Sequence, residues 1–174
     1  MLTSNSIVLA FFKRFILWFV LLQTIVLLIE HHPSSIAAIQ HLLGSASARL
    51  YQFYSTNVVI AGNALINPVS GNYVTIDNAC TGLSLIATLT AGLFALSGTI
   101  REKMGYFLLI ILLIQVENII RISQLFYLIS HQASIAKFNF YHLFFWQFIN
   151  FIYAMLVFYF IFINSKHAKQ TYPN

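Results

Sequence analysis

Four stretches of this chain carry almost no charge, and their lengths set what they can form. Residues 15–29, 78–100, 104–120 and 138–165 are 15, 23, 17 and 28 residues long, and the third contains one acid, Glu117. A helix needs about 20 apolar residues to cross a bilayer, with a range of roughly 17–25. The first stretch reaches that length if residues 7–12 join it and Lys13 and Arg14 extend toward the headgroups. The pattern predicts an all-α integral membrane protein, a single domain over residues 1–174. Its four transmembrane helices fall at about 9–30, 80–100, 104–127 and 140–164, with a small insertion over residues 31–79. A cleaved signal peptide with Lys13 and Arg14 as its basic region is the alternative for the first stretch.

Within the insertion the periodicity changes. Ile36, Ile39, Leu42, Leu43 and Leu50 recur at mostly helical spacing, which predicts a helix lying on the membrane surface. Further on, Val58, Val59 and Ile60, then Tyr73, Val74, Thr75 and Ile76, flank the turn signals Asn67-Pro68 and Gly71-Asn72. That arrangement predicts a small β-hairpin running straight into Cys80.

Composition strengthens the membrane reading: 59% of residues are hydrophobic, 7% are charged and the mean hydropathy is +0.80. Soluble domains carry about 25% charged residues, so this chain cannot cover an aqueous surface. The formal charge of +5 is scattered, with no basic patch of the kind nucleic acid requires, so the bilayer and not nucleic acid is the expected partner. With four spans, Lys13, Arg14, Arg101, Lys103, Lys166 and Lys169 fall on one side and Arg49, Arg121 and Lys137 on the other. Six against three predicts a multi-pass protein of the cell (inner or plasma) membrane, with both termini cytoplasmic and the insertion outside.

Ionisable groups inside spans are rare and turn toward protein or a cavity, which marks Glu117, Arg121 and His142, together with the lone thiol of Cys80. Counted from the cytoplasmic helix ends, Cys80, Arg121 and His142 lie 20, 17 and 22 residues up, or about 30, 26 and 33 Å at 1.5 Å per residue. Three helices thus deliver them to one layer at the outer edge of the hydrocarbon core. Cys80, Ser84 and Thr88 form a small polar stripe continued by Ala91 and Ala95, which predicts a central second span. Glu117, Asn118, Arg121 and Gln124 share one face of the third span, and His142, Trp146, Asn150 and Tyr153 share one face of the fourth.

These residue types suit acyl transfer. A cysteine starting a helix is expected to gain thiolate character from free N–H groups and the helix dipole. Gly82 permits close approach of a substrate backbone. Histidine carries protons near neutral pH, and arginine stays charged to meet a developing oxyanion.

Taken in order, Ala79-Cys80-Thr81-Gly82-Leu83, Asn118-Ile119-Ile120-Arg121-Ile122 and His142 resemble the Cys, Arg and His motifs of the exosortase/archaeosortase family, over about residues 58–164. Thr81 stands where Ser is usual, no glycine follows within residues 143–147, and the chain resembles a small, minimal-core member. The resemblance implies a membrane cysteine protease or transpeptidase working without cofactor or metal. Its substrates would be proteins bearing a C-terminal motif, a transmembrane helix and a basic tail. It further implies Cys80 as nucleophile, Arg121 as stabiliser of the tetrahedral intermediate and His142 as proton carrier, with Thr81, Gly82, Glu117 and Asn118 supporting the site or binding substrate.

Plainer readings stand beside these. Cys80 also fits a small buried hydrophobe. Glu117 precedes Arg121 by four residues, the favourable order for an intrahelical ion pair. His142 sits among Phe138, Phe140, Tyr141, Phe144 and Trp146, an aromatic belt. His31, His32, His41, His131 and His142 share the outer side, but no HxxxH or CxxC spacing supports a metal, and no GxSxG supports a serine enzyme. The alternative function is a non-catalytic subunit of a membrane assembly or transport complex.

Overall fold

A computed structural model describes the backbone of residues 4–171 and the side chains of residues 8–159; Lys166 and Lys169 of the charge count lie outside the described side chains. The chain is a mostly helical membrane protein. Helix α1 (Ser4–His31) is followed by α2 (Pro33–Tyr51) and strands β1 (Val59–Ala61), β2 (Ala64–Ile66) and β3 (Tyr73–Thr75). A 3-10 turn (Asn78–Thr81) leads into α3 (Leu83–Ala95), then α4 (Ile100–Ser130), α5 (Ile135–Asn139), a π-helical segment (Phe140–Phe145) and α6 (Trp146–Thr171).

Among the described residues three helices are long and apolar enough to cross a membrane, over Val8–His31, Ile100–Ser130 and Ile135–Tyr159. The expected second span differs. Its 23 uncharged residues hold a helix of only 13, about 20 Å long against about 30 Å of hydrocarbon. Absence of charge is not the same as helix. At one end Gly82 takes a left-handed φ of 71°, and at the other Leu96 is extended and Gly98 has φ 153°. A capping box follows: Thr99 Oγ1 accepts from the Glu102 amide and the Glu102 carboxylate accepts from the Thr99 amide, so α4 starts afresh at Ile100. Lys103 Nζ donates to the carbonyls of Phe94 and Leu96, closing the end of α3.

Helix α4 is the common support. At 31 residues it is about 46 Å long and carries two hydrophobic clusters, one above the other. In the lower cluster Ile110 and Ile114 meet Leu89 and Leu93 of α3, with Val157 and Phe158 of α6 against them. In the upper cluster Ile122 and Phe126 meet Leu43, Ala48 and Tyr51 of α2, Leu65 of β2, Ile76 and Cys80. Between them on α4 lie the buried polar residues Glu117, Asn118 and Arg121.

The insertion holds a helix where one is expected, but Leu42 of the expected apolar set is exposed. α2 buries Ile36, Gln40, Leu43, Gly44, Ser47, Ala48 and Tyr51, a stripe three to four residues apart, and turns it onto α4 and the strands. In place of one hairpin there is a three-stranded antiparallel meander in the order β1-β2-β3. The extra strand follows Gly62-Asn63, where Gly62 at φ 62° supplies the conformation a two-residue hairpin turn requires. Asn67 Oδ1 accepts from the amides of Val69 and Ser70, closing the longer turn.

Helix α3 packs against α1, α4 and α6, the central place its small residues predict. Because Gly82 breaks the helical phase, the small polar stripe begins at Ser84 rather than Cys80. Gln23 of α1 donates to the Ser84 carbonyl and to Thr88 Oγ1 along it.

Candidate active site

The residues 78–83 set the geometry. Asp77, extended at φ −90° and ψ −178°, caps the 3-10 turn by accepting the Cys80 amide on Oδ1 at 3.0 Å. Thr81, fully buried, donates its hydroxyl to the Asn78 carbonyl at 2.7 Å, and its own carbonyl accepts from Gln115 Nε2 of α4. The threonine hydroxyl is therefore spent on holding the turn. Gln40 of α2 fixes the other end through Asn78 Oδ1. Gly82 lies so close to α4 that a Cβ there would sit 2.5 Å from Asn118 Nδ2 and 2.7 Å from Ile114 Cγ2. The approach that glycine permits here is that of a neighbouring helix.

Cys80 is not the first residue of a helix with free N–H groups around it. Its amide is taken by Asp77, and its side chain, 6% exposed, is part of the upper hydrophobic cluster. Cys80 lies in the turn ahead of α3, outside the apolar helix. Burial pushes its thiol up to about 11, and the Asp77 carboxylate adds to the rise while Arg121 opposes it. The expected thiolate-stabilising helix start is thus replaced by a buried thiol.

Beside the turn opens a cavity of about 280 Å³. Asn78, Ala79, Gly82 and Ser84 form one wall, Asn118 and Arg121 of α4 another, Gln147 and Asn150 of α6 a third, and Glu30 at the end of α1 closes it. Arg121 is 5% exposed, and among the described residues neither its Nε nor Nδ2 of the buried Asn118 has a hydrogen-bond partner. A buried guanidinium with an unpartnered donor, on a residue that lines a cavity, is a charge awaiting a partner. Among the described residues no ion pair joins Glu117 to Arg121, and both buried Glu117 oxygens lack a hydrogen-bond partner. The intrahelical pair does not form.

His142 stands on the π-helical segment, half-buried, its ring 5.7 Å from that of Phe138. One turn on, Trp146 Nε1 donates to Gln124 Oε1 at 3.0 Å and ties α6 to α4. The imidazole lies within electrostatic reach of both Arg121 and Asp77, the two charged groups that also act on Cys80. Of the residues marked in the sequence, Gly82, Asn118 and Arg121 line the cavity, Cys80 and Thr81 belong to the turn that walls it, and His142 is not among its lining residues. Glu117 is buried away from it. His31 and His131 bond back through Nδ1 to carbonyls of their own helices.

The chain matches the family model for transmembrane exosortases over residues 4–160. It belongs to the transmembrane exosortase family. No curated protein and no solved structure matches it. In this exosortase Glu30 and Gln147 also line the cavity and Asp77 caps the turn that walls it, three residues not marked by the sequence. Asp77 had a signal, an acid three residues before the motif cysteine; Glu30 and Gln147 join the cavity only through tertiary packing.

Proposed function

We propose that this exosortase is a membrane cysteine protease or transpeptidase that cuts anchored proteins through a thioester on Cys80. The observation that carries this reading is the buried Arg121, unpartnered at Nε and lining a cavity whose wall is the turn holding Cys80. The thiol gives its proton to the His142 imidazole, and the sulfur attacks the scissile carbonyl. Arg121 meets the oxyanion as the carbon–oxygen double bond opens. The intermediate collapses, the carbon–nitrogen bond breaks, and His142 returns the proton to the leaving amine. An acceptor nucleophile then resolves the thioester. Asp77 orients the Cys80 amide and faces both thiol and imidazole electrostatically.

The substrates in this reading are membrane-anchored proteins with a C-terminal motif, transmembrane helix and basic tail. Both termini lie in the cytoplasm and the site faces outward in the cell membrane, with α3 as a short fourth crossing. Asn118 and Arg121, about 27 and 32 Å along α4 from Ile100, then lie at the outer hydrocarbon boundary.

A second reading, a non-catalytic subunit, draws on the buried, protonated Cys80. The test replaces Cys80 by Ala and by Ser in cells. Loss of processing with normal membrane folding, plus a thioester trapped on wild-type Cys80 by mass spectrometry, supports the enzyme. Unchanged processing by Cys80→Ala sinks it.

A further inference from the structure

The meander ends at the site. In β2 and β3 the partners are Ala64 with Thr75, Leu65 with Val74 and Ile66 with Tyr73, and the flanking bonds run from the Asn67 amide to the Asn72 carbonyl and from the Ile76 amide to the Asn63 carbonyl. In an antiparallel ladder the hydrogen-bonded pairs alternate, so Val74 turns its N–H and C=O to β2, with the Ile76 amide and the Asn72 carbonyl facing the same way, while the Asn72 amide donates to Ser70 Oγ. Tyr73 and Thr75 turn theirs away from it. Among the described residues no fourth strand pairs with β3, and both residues are exposed, Tyr73 at 60%. Asp77 continues the extended path, and the next two residues, Asn78 and Ala79, line the cavity.

Helix α4 does not need this edge, because it lies under the inner face of the sheet, where Val74 and Ile76 pack on Ile122 and Phe126. Asn72 Nδ2 bonds the Ile129 carbonyl and holds the start of β3 down. The opposite edge, at β1, directs only Ile60 outward by the same alternation and is separated from the site by two strands. An unpaired edge is a template for an extended chain, and natural proteins usually hide it.

We infer that the outer edge of β3 is the peptide-docking site, where an extended substrate segment pairs with Tyr73 and Thr75 as a fourth strand and is led past Asp77 into the cavity. The occupant is a polypeptide in β conformation, recognised through its backbone. The inference rests on the reading of Cys80 as nucleophile toward peptide substrates. Pairing along residues 73–77 takes up about 17 Å of extended chain, so only a peptide reaching at least about five residues from the reacting carbon gains from it.

The test uses peptidyl chloromethyl ketones of two to eight residues, drawn from a mixed-sequence library, on the whole protein in detergent. The Cys80 sulfur forms a bond to the methylene carbon as chloride leaves, and adduct formation is followed by mass spectrometry. Each rate is divided by the iodoacetamide rate of the same protein. The ratio is expected to climb at least tenfold once the peptide passes about five residues. N-methylation along the fastest peptide should abolish the gain at every second residue only. Thr75→Pro, whose missing N–H belongs to the open edge and not to the ladder, should cut the ratio about tenfold. Length-dependent labelling with no alternation in the N-methyl series overturns the docking site and leaves the cysteine reading intact. Labelling independent of length overturns the docking site as well, and failure of the Cys80→Ala processing test separately removes the nucleophile.

Discussion

At the scale of single residues, the Cys80 thiol is held protonated by burial first and by the Asp77 carboxylate second. A rise from 9.0 to about 11 leaves about a hundredfold less thiolate at neutral pH than an unperturbed thiol has. Alkylation of the resting protein by iodoacetamide is therefore expected to be slow and to rise about tenfold per pH unit until near pH 11. Asp77→Asn keeps the cap acceptor but removes the charge, so it should speed alkylation at every pH below that; a slower rate contradicts the assignment. The sign for stability follows. The folded state holds this proton more tightly, so the contribution is intact below about pH 9 and fades toward about 11. Wild type should lose stability relative to Cys80→Ala across that window in a denaturant series. Glu117, with no partner for either oxygen, gives a contrasting expectation. Glu117→Gln should change thermal stability by less than about 1 kcal/mol or raise it, because a neutral amide is cheaper to bury than a charge. A loss of several kcal/mol would mean that the carboxylate is paired.

At the scale of elements, Gly82 sets both the start of α3 and its distance from α4. Gly82→Ala must hold φ 71° and push against Asn118 and Ile114, so a loss of about 2 kcal/mol or more is expected, measured by thermal melting in detergent. Wild-type stability in that variant would mean α3 shifts freely on α4. Helices α1, α4 and α6 were legible as uncharged runs because apolar length is what a bilayer selects. The length of α3 was not, since Ser97-Gly98 and Cys80–Gly82 are as uncharged as the helix between them. The meander is half legible: Val58–Ile60 and Tyr73–Ile76 read as strands, but β2, only three residues long, is too short to give a period-2 signal after Gly62-Asn63. At the site, the polar face of α4 could be read from spacing. The burial of Cys80 among residues of α2, β2 and α4 could not, because those contacts join segments far apart in sequence.

For the whole molecule, two clusters on one helix divide the labour. The lower one joins α3, α4 and α6, and the upper one carries the cysteine turn. Phe126, fully buried with its ring 4.7 Å from that of Tyr51, belongs to the upper cluster. Phe126→Ala should cost about 3–5 kcal/mol and also quicken Cys80 alkylation by opening the cover over the thiol. Ile110→Ala, in the lower cluster, should cost about 2–5 kcal/mol with little change in alkylation rate. Equal effects on the thiol from both variants would mean that the clusters act as one. The π-helical segment bears on this division in another way. Phe140–Phe145 winds with more residues per turn than the helix that follows it, and His142 rides on that slack. Deleting Phe144 would take up the slack: Trp146 would keep its seat on Gln124, while the imidazole would swing about 100° around the helix axis. The aim of His142 is thus set by a count of residues rather than by a bond, a dial with one surplus notch.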